Sequence, residues 1–114
     1  MLRTGIFLVS AIYLVNAVLS EDFNITACQH KSLILQCHPG QIVHIVNAKY
    51  GRDTNFKCGF GFNKNCESHL ALFRTKALCE GREICTIPVE VKVLDDDPCP
   101  YTSKYLQVQY RCDS

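Results

Sequence analysis

The sequence lacks an excess of charge of either sign. It contains 12 Lys and Arg residues against 11 Asp and Glu residues, and the basic residues are scattered among the acidic ones. Phosphate backbones and acidic membrane surfaces require positive charge that is clustered on one face. We therefore predict that neither nucleic acid nor an acidic membrane is a partner of this protein.

Motifs of the common hydrolases and of zinc sites are also absent. The sequence has no G-x-S-x-G elbow, no H-E-x-x-H pair and no C-x-x-C pair, and its successive cysteines are irregularly spaced. Each of these motifs holds a nucleophile, a base or metal ligands at a fixed spacing. We predict that the protein is not an enzyme and needs no metal or other cofactor.

Long apolar runs are absent except at the N terminus. Met1 to Ser20 has a positive start at Arg3, an apolar middle and an exit of small residues before Glu21. This pattern is typical of a secretory signal peptide and is short for a membrane span, although a membrane anchor is the alternative. The sequence thus predicts a signal peptide over residues 1–20, one secreted, extracellular domain over residues 21–114, and no membrane insertion.

Cysteine, by contrast, is abundant, with eight residues between Cys28 and Cys112. An even number of cysteines in a short exported chain indicates a disulfide framework, which stabilises a domain too small for a large core. Eight cysteines allow roughly a hundred pairings, and their spacing alone selects none of them. We predict that all eight are oxidised, so that any oligomer is non-covalent.

Apolar segments between turn residues predict the strands. The segments are 32–37, 41–50, 85–89 and 105–112. The second is apolar at so many positions that burial on both of its faces is the simplest interpretation.

One helix is predicted, over residues 67–78. Ser68 stands near its N-cap and Gly81 lies just beyond its end. Its buried face is predicted from apolar residues at helical spacing: Leu70, Phe73, Ala77 and Leu78. Together the elements predict a small, disulfide-rich α+β domain that is mostly antiparallel β-sheet with one main helix and long ordered loops.

Three polar features are open to a functional interpretation. Asn24-Ile25-Thr26 is an N-glycosylation sequon, predicted to lie on an exposed, mobile terminus. His44 lies inside an apolar strand, where a hydrogen-bonded structural histidine is more common than a catalytic base. Asp95 to Asp97 is more simply a solvated acidic turn than a calcium site, because the spaced ligands of a calcium loop are missing.

The order of the cysteines and the segments between them resembles a known family. From Ala27 to Cys112 the chain reads A-C, L-x-C, A-K-Y-G-R, C-x5-C, D-P-C-P and K-Y-L-x-V-x-Y-x-C. This order resembles the rhamnose- or galactose-binding lectin domain of the sea urchin egg lectin (SUEL) type, which also occurs in latrophilin. The resemblance implies antiparallel strands with a helix and sugar binding without calcium. It also implies four disulfides: Cys28 with Cys58, Cys37 with Cys112, Cys66 with Cys99, and Cys79 with Cys85.

The resemblance implies roles for individual residues as well. Tyr50 would pack against the apolar side of a sugar, Asp97 would accept hydrogen bonds from hydroxyls, and Lys104 would donate to them. Arg52 is interpreted as structural, pairing near the turn that follows Tyr50, with contact to the ligand as the alternative.

The chain departs from the family pattern at three positions. Gln29 replaces a glutamate, Lys92 replaces an asparagine, and Tyr101 replaces the glycine that follows D-P-C-P. Gln29 keeps hydrogen-bonding capacity, and Tyr101 would either block the pocket or add a second stacking surface, so both are candidate carbohydrate-binding residues.

Two functions of different class follow from the sequence. The first is a secreted lectin that recognises glycans carrying L-rhamnose or D-galactose. The second is an extracellular protein-protein recognition module that has lost sugar binding and contacts extracellular or cell-surface proteins. A shallow sugar site binds at about millimolar strength, so a lectin of this size requires clustered glycans or oligomers for avidity.

Overall fold

The computed structural model describes residues 21–54, 56–59, 61 and 65–114, so the predicted signal peptide lies outside the described residues. The described part of the chain forms β1 (Phe23–Cys28), β2 (Ser32–Gln36), β3 (Ile42–Arg52), β4 (Cys66–Glu67), α1 (Ala71–Cys79), β5 (Ile84–Pro88), α2 (Val91–Leu94) and β6 (Tyr105–Asp113). A search of these residues finds no helix with the length and apolar character of a membrane span.

The strands form two antiparallel sheets. The larger sheet has the order β1-β6-β3-β4, and the smaller sheet pairs β2 with β5. Helix α1 packs against β3 and β5. This arrangement confirms the predicted α+β class, with mostly antiparallel sheet.

The core lies on one face of the larger sheet. Ile45 pairs with Tyr110 and Tyr50 pairs with Leu106, and all four side chains are buried. Because successive residues of a strand point to opposite faces, the intervening residues form the second face. That second face is polar.

Burial of β3 on both faces is therefore a wrong prediction. Asn47 and Lys49 are exposed, whereas Ala48 between them is buried. A bulge between Ile45 and Asn47 shifts the register of β3 against β6. The extra residue, Val46, makes the apolar run look continuous in the sequence.

Strand β1 is a strand that the sequence pattern did not predict. It pairs with β6 from Phe23 opposite Tyr110 to Cys28 opposite Tyr105. Asn24 thus lies exposed in a strand, and the prediction of a mobile terminus around it is wrong.

Helix α1 begins later than predicted and buries a different face. Its buried residues are Ala71, Thr75 and Cys79, whereas Phe73 is 68% exposed. Small side chains let the helix approach the sheet closely, and the Cys79 disulfide fixes its C-terminal end. Apolar periodicity alone therefore placed the buried face incorrectly.

The residues at the two ends of the helix agree with the sequence prediction better than its buried face does. Ser68 Oγ accepts a hydrogen bond from the Leu70 N–H at 3.1 Å. Beyond the C terminus, Gly81 has a φ of 82° and donates its N–H to the Val43 carbonyl at 2.9 Å. Positive φ favours glycine, which accounts for the residue found there.

Four disulfides fasten the two sheets and the loops. They join Cys28 to Cys58, Cys37 to Cys112, Cys66 to Cys99, and Cys79 to Cys85. These are the pairs that the resemblance implied. The Cys37–Cys112 bridge closes a separation of 75 residues and contributes about 4 to 5 kcal/mol in the chain-entropy model.

The carboxylate of Glu80, which follows the last residue of α1, links the helix to β3. Oε1 of Glu80 accepts the Ile45 N–H at 2.9 Å, and its Oε2 lies 3.0 Å from Nδ1 of His44. His44 is thus a hydrogen-bonded structural histidine, as predicted. Burial acts to raise the pKa of Glu80, but the hydrogen bonds from Ile45 and His44 and nearby positive charge outweigh it and lower the pKa.

We predict that Glu80→Gln reduces the acid sensitivity of folding. Because the pKa of Glu80 is lower in the folded protein, its ionised form stabilises the fold above the unfolded-state value of about 4.3, and this contribution is lost as pH falls through the folded pKa. In urea titrations the variant should be less stable than wild type at pH 7, and the difference should shrink at pH 3. The exposed Glu83→Gln is the matched control, and the same shrinkage in that variant would contradict the assignment.

Gly51 lies where β3 pairs with β4, opposite Glu67. Its φ is 152°, and an added Cβ would lie 2.0 Å from the Cys66 carbonyl oxygen. Gly51→Ala should therefore lower the free energy of unfolding by about 3 kcal/mol or more. Gly40 also has positive φ but has no atom within 4 Å of a built Cβ, so Gly40→Ala should cost only about 1 kcal/mol. Thermal unfolding measures the stability of both variants. An equal loss of stability in the two would contradict the claim that a side chain at Gly51 clashes with the Cys66 carbonyl.

Candidate functional site

The candidate site lies where three strands of the larger sheet end together. Cys28 at the end of β1 is opposite Tyr105 at the start of β6, and Gly51 near the end of β3 is opposite the same residue. Gln29 follows β1, Lys104 precedes β6 and Tyr50 precedes Gly51. Antiparallel pairing thus brings together three residues that are far apart in the sequence.

Lys104 is the centre of this cluster. Its side chain is only 2% exposed, and its Nζ donates to the carbonyls of Cys99 at 3.1 Å and Thr102 at 2.8 Å. The same Nζ lies 2.8 Å from Oδ1 of Asp97. An ammonium has three protons to donate, so the buried charge is fully hydrogen-bonded by one loop.

Gln29 fixes the backbone of Lys104. Oε1 of Gln29 accepts the Lys104 N–H at 2.9 Å, and the Gln29 N–H donates to the Lys104 carbonyl at 2.8 Å. The side-chain oxygen of this glutamine is therefore occupied, while its amide nitrogen keeps two protons that can be donated.

Asp97 presents a carboxylate at the surface of the cluster. Its side chain is 36% exposed, and only Oδ1 makes the ion pair with Lys104. A carboxylate has about four acceptor positions. The group is thus held in one orientation and can still accept hydrogen bonds from a ligand.

Tyr50 lies beneath the cluster. Its ring is fully buried because alternation along β3 places it on the core face. Its hydroxyl has no hydrogen-bond partner among the described residues. Burial, followed by the negative charge of Asp97, Glu90 and Asp96, raises the pKa of Tyr50 to about 12, so the hydroxyl is neutral at pH 7.

The burial of Tyr50 contradicts the stacking role that the resemblance implied. A ring with no exposed surface offers no face to a sugar. The hydroxyl oxygen of Tyr50 is buried as well, so neither part of this side chain is accessible to a sugar.

Tyr101 lies in the loop between Asp97 and Lys104. Its side chain is fully exposed, and its φ of 66° is in the left-handed region. Such a conformation favours glycine, which is the residue of the family pattern at this position. Lys92 is exposed on α2, just before the acidic turn.

Arg52 is structural, as predicted. It is 1% exposed and donates to the Ser103 carbonyl at 2.7 Å and the Thr54 carbonyl at 2.9 Å. Its guanidinium also lies 5.5 Å from the centroid of the Tyr105 ring. Arg52 therefore ties the loop after β3 to the residue next to Lys104.

Sequence reasoning missed one pair at the edge of the cluster. Nδ1 of His30 lies 3.1 Å from Oε2 of Glu90, and the His30 N–H donates to the Val89 carbonyl. His30 and Glu90 are 60 positions apart, so no local motif could reveal their contact.

Comparison with known proteins identifies the family of this chain. The family model for the D-galactoside/L-rhamnose binding SUEL lectin domain matches residues 35–112. The chain belongs to this family. It is 36% identical over 90 residues to a D-galactoside-specific lectin of Heliocidaris crassispina, covering 75% of this chain and 85% of that lectin.

Two further relatives of this SUEL lectin domain differ in how much of their own length it covers. The L-rhamnose-binding lectin ELEL-1 of Echinometra lucunter is 36% identical over 89 residues, which are 75% of this chain and 85% of that lectin. Latrophilin-like protein 1 of Caenorhabditis elegans is 34% identical over 92 residues, which are 76% of this chain and 9% of that protein. This chain thus spans less than a tenth of the latrophilin relative.

A pair of tyrosine variants tests the description of the site. Tyr50→Phe removes a buried hydroxyl that has no partner among the described residues, so the free energy of unfolding should stay the same or rise by about 1 kcal/mol. Tyr105→Phe removes a hydroxyl that donates to Asp53 Oδ1 and accepts the Asp53 N–H. This variant should therefore lower the free energy of unfolding by about 1 to 2 kcal/mol. Urea unfolding measures both. A loss in Tyr50→Phe as large as that in Tyr105→Phe would show that the Tyr50 hydroxyl has a partner.

Proposed function

We propose that this domain binds saccharides of the L-rhamnose or D-galactose type at the cluster around Lys104. The observation that carries the proposal is the Asp97 carboxylate, which the buried Lys104 holds at 2.8 Å while part of it stays exposed. The names of the sea urchin relatives, which specify D-galactoside and L-rhamnose, support the same ligand class.

The chemistry of a pyranose suits these groups. Vicinal hydroxyls donate to Asp97, and hydrogen bonds to a charged acceptor are about twice as strong as neutral ones. The free amide protons of Gln29 donate to a ring or hydroxyl oxygen at the rim.

Lys104 has a different role from the one that the resemblance implied. Its three protons are already donated to Cys99, Thr102 and Asp97, so it positions the carboxylate and the loop instead of donating to the sugar. Tyr101 takes the stacking role predicted for Tyr50, because its exposed ring lies in the same loop. Aromatic faces pack against the apolar side of a sugar ring.

We propose that binding is independent of calcium and that the domain is a secreted, non-catalytic protein. Asp97 obtains its orientation from an ammonium, which removes the need for a cation. All eight cysteines are paired within the chain, so multivalent binding requires a non-covalent oligomer or a clustered ligand.

A protein-recognition module remains the second candidate function, and one observation favours it. Tyr101 is fully exposed in a left-handed conformation, and exposed aromatic residues on ordered loops are common anchors in protein interfaces. In that case Tyr101 would fill a pocket of a partner protein and Asp97 would have no saccharide ligand.

Asp97→Asn distinguishes the two functions. Loss of a charged acceptor removes about 1.5 to 3 kcal/mol from a hydrogen bond, so affinity for L-rhamnose or D-galactose should fall about tenfold or more. Asp95→Asn is the matched control, since Asp95 ends α2 outside the ion pair with a φ of 59°, and asparagine tolerates that conformation. Glycan-array binding and calorimetry, with and without a calcium chelator, measure the effect on oxidised protein.

The two candidate functions predict different binding results. The lectin proposal requires wild-type and Asp95→Asn protein to bind with or without the chelator, and Asp97→Asn to bind weakly while remaining folded by circular dichroism. Array silence of the wild-type protein, with an extracellular protein that binds wild type but not Tyr101→Gly, would establish the recognition module instead. Binding that the chelator abolishes would contradict the calcium-independent mechanism.

A further inference from the structure

The outer face of the larger sheet is a polar surface that the proposed sugar site does not use. Asn24 of β1 and Asn47 of β3 both lie opposite Gln109 of β6. Two residues earlier in β6, Gln107 lies opposite both Thr26 of β1 and Lys49 of β3. Directly opposed residues of antiparallel strands share a face, so two rows of polar side chains cross three strands.

These rows line a shallow groove of about 240 Å³. Six of its lining residues are the polar ones of the two rows: Asn24, Thr26, Asn47, Lys49, Gln107 and Gln109. Sites for drug-sized ligands start at about 300 Å³, so the groove is suited to one small ring. It contains none of Asp97, Lys104 or Gln29.

The N-glycosylation sequon lies at one end of the groove. Asn24 and Thr26 are the acceptor asparagine and the hydroxyl residue of the sequon, both are exposed, and both line the groove. A glycan on Asn24 would therefore start inside the groove.

We propose that Asn24 carries an N-linked glycan whose first sugar lies in this groove. The groove offers amide groups, which both donate and accept hydrogen bonds, and hydroxyl and acetamido groups of a neutral sugar need both. Neighbouring strands are about 4.8 Å apart, so β3 lies about 10 Å from β1. The first sugar then reaches from Asn24 across Gln107 and Gln109 towards Lys49.

The glycan leaves the proposed sugar site open. It extends from β1 over β6 and towards β3, so the Asp97 cluster at the strand ends stays free for ligand.

A matched pair of variants tests whether the site is used. Full-length protein is secreted from eukaryotic cells as wild type, Thr26→Ser and Thr26→Ala. Thr26→Ser keeps the sequon and Thr26→Ala destroys it. Intact mass before and after peptide N-glycosidase should show a glycan on wild type and Thr26→Ser and none on Thr26→Ala. Absence of a glycan from Asn24 in the wild-type protein would overturn the proposal.

Lysine labelling tests where the glycan lies. Acylation by an N-hydroxysuccinimide ester should be several-fold slower at Lys49 in the glycosylated protein than in Thr26→Ala. Lys76, exposed on α1, is the internal control and should react equally in both. Equal labelling of Lys49 on a protein with an occupied Asn24 would show that the glycan projects into solvent and would overturn its placement in the groove.

Discussion

The buried ammonium of Lys104 is the constraint on which the site depends. A buried charge without partners costs several kcal/mol, so the loop from Asp97 to Thr102 must keep two carbonyls and one carboxylate around it. The Cys66–Cys99 disulfide anchors this loop to β4, and Gln29 fixes Lys104 from the side of β1. An exposed loop thereby becomes rigid without a large core of its own.

The same region carries features that do not stabilise the folded domain. The hydroxyl of Tyr50 is buried without a partner among the described residues, and Tyr101 has a left-handed backbone that glycine adopts more easily. Unfavourable local features of this kind persist where the surrounding structure holds them, and they cluster at functional sites. Tyr101 lies four residues after Asp97 in the same loop, and Asp97 is the group best placed to meet a ligand.

Much of the fold could be predicted from the sequence, and the errors have physical causes. Strands β2, β5 and β6 have clear apolar patterns, and their predicted bounds differ from the observed ones by only a residue. The bulge at Val46 concealed the alternation of β3, and helix α1 buries Thr75 and leaves Phe73 exposed. Strand β1 depends on pairing with β6, which a local apolar pattern does not reveal.

The site was predictable only through the family resemblance. Gln29, Asp97 and Lys104 are brought together by strand pairing and loop closure, which a single sequence does not encode locally. The resemblance named these residues but not their hydrogen bonds, so it assigned donation to a lysine whose protons are all engaged and stacking to a ring that is buried. The His30–Glu90 pair depended on tertiary structure altogether.

A crystal structure of the secreted, oxidised protein soaked with L-rhamnose tests the central claim most directly. The account predicts a sugar whose hydroxyls contact the Asp97 carboxylate, with Lys104 still bonded to the carbonyls of Cys99 and Thr102. A sugar bound away from Asp97, or a Lys104 side chain that leaves those carbonyls for solvent, would contradict it.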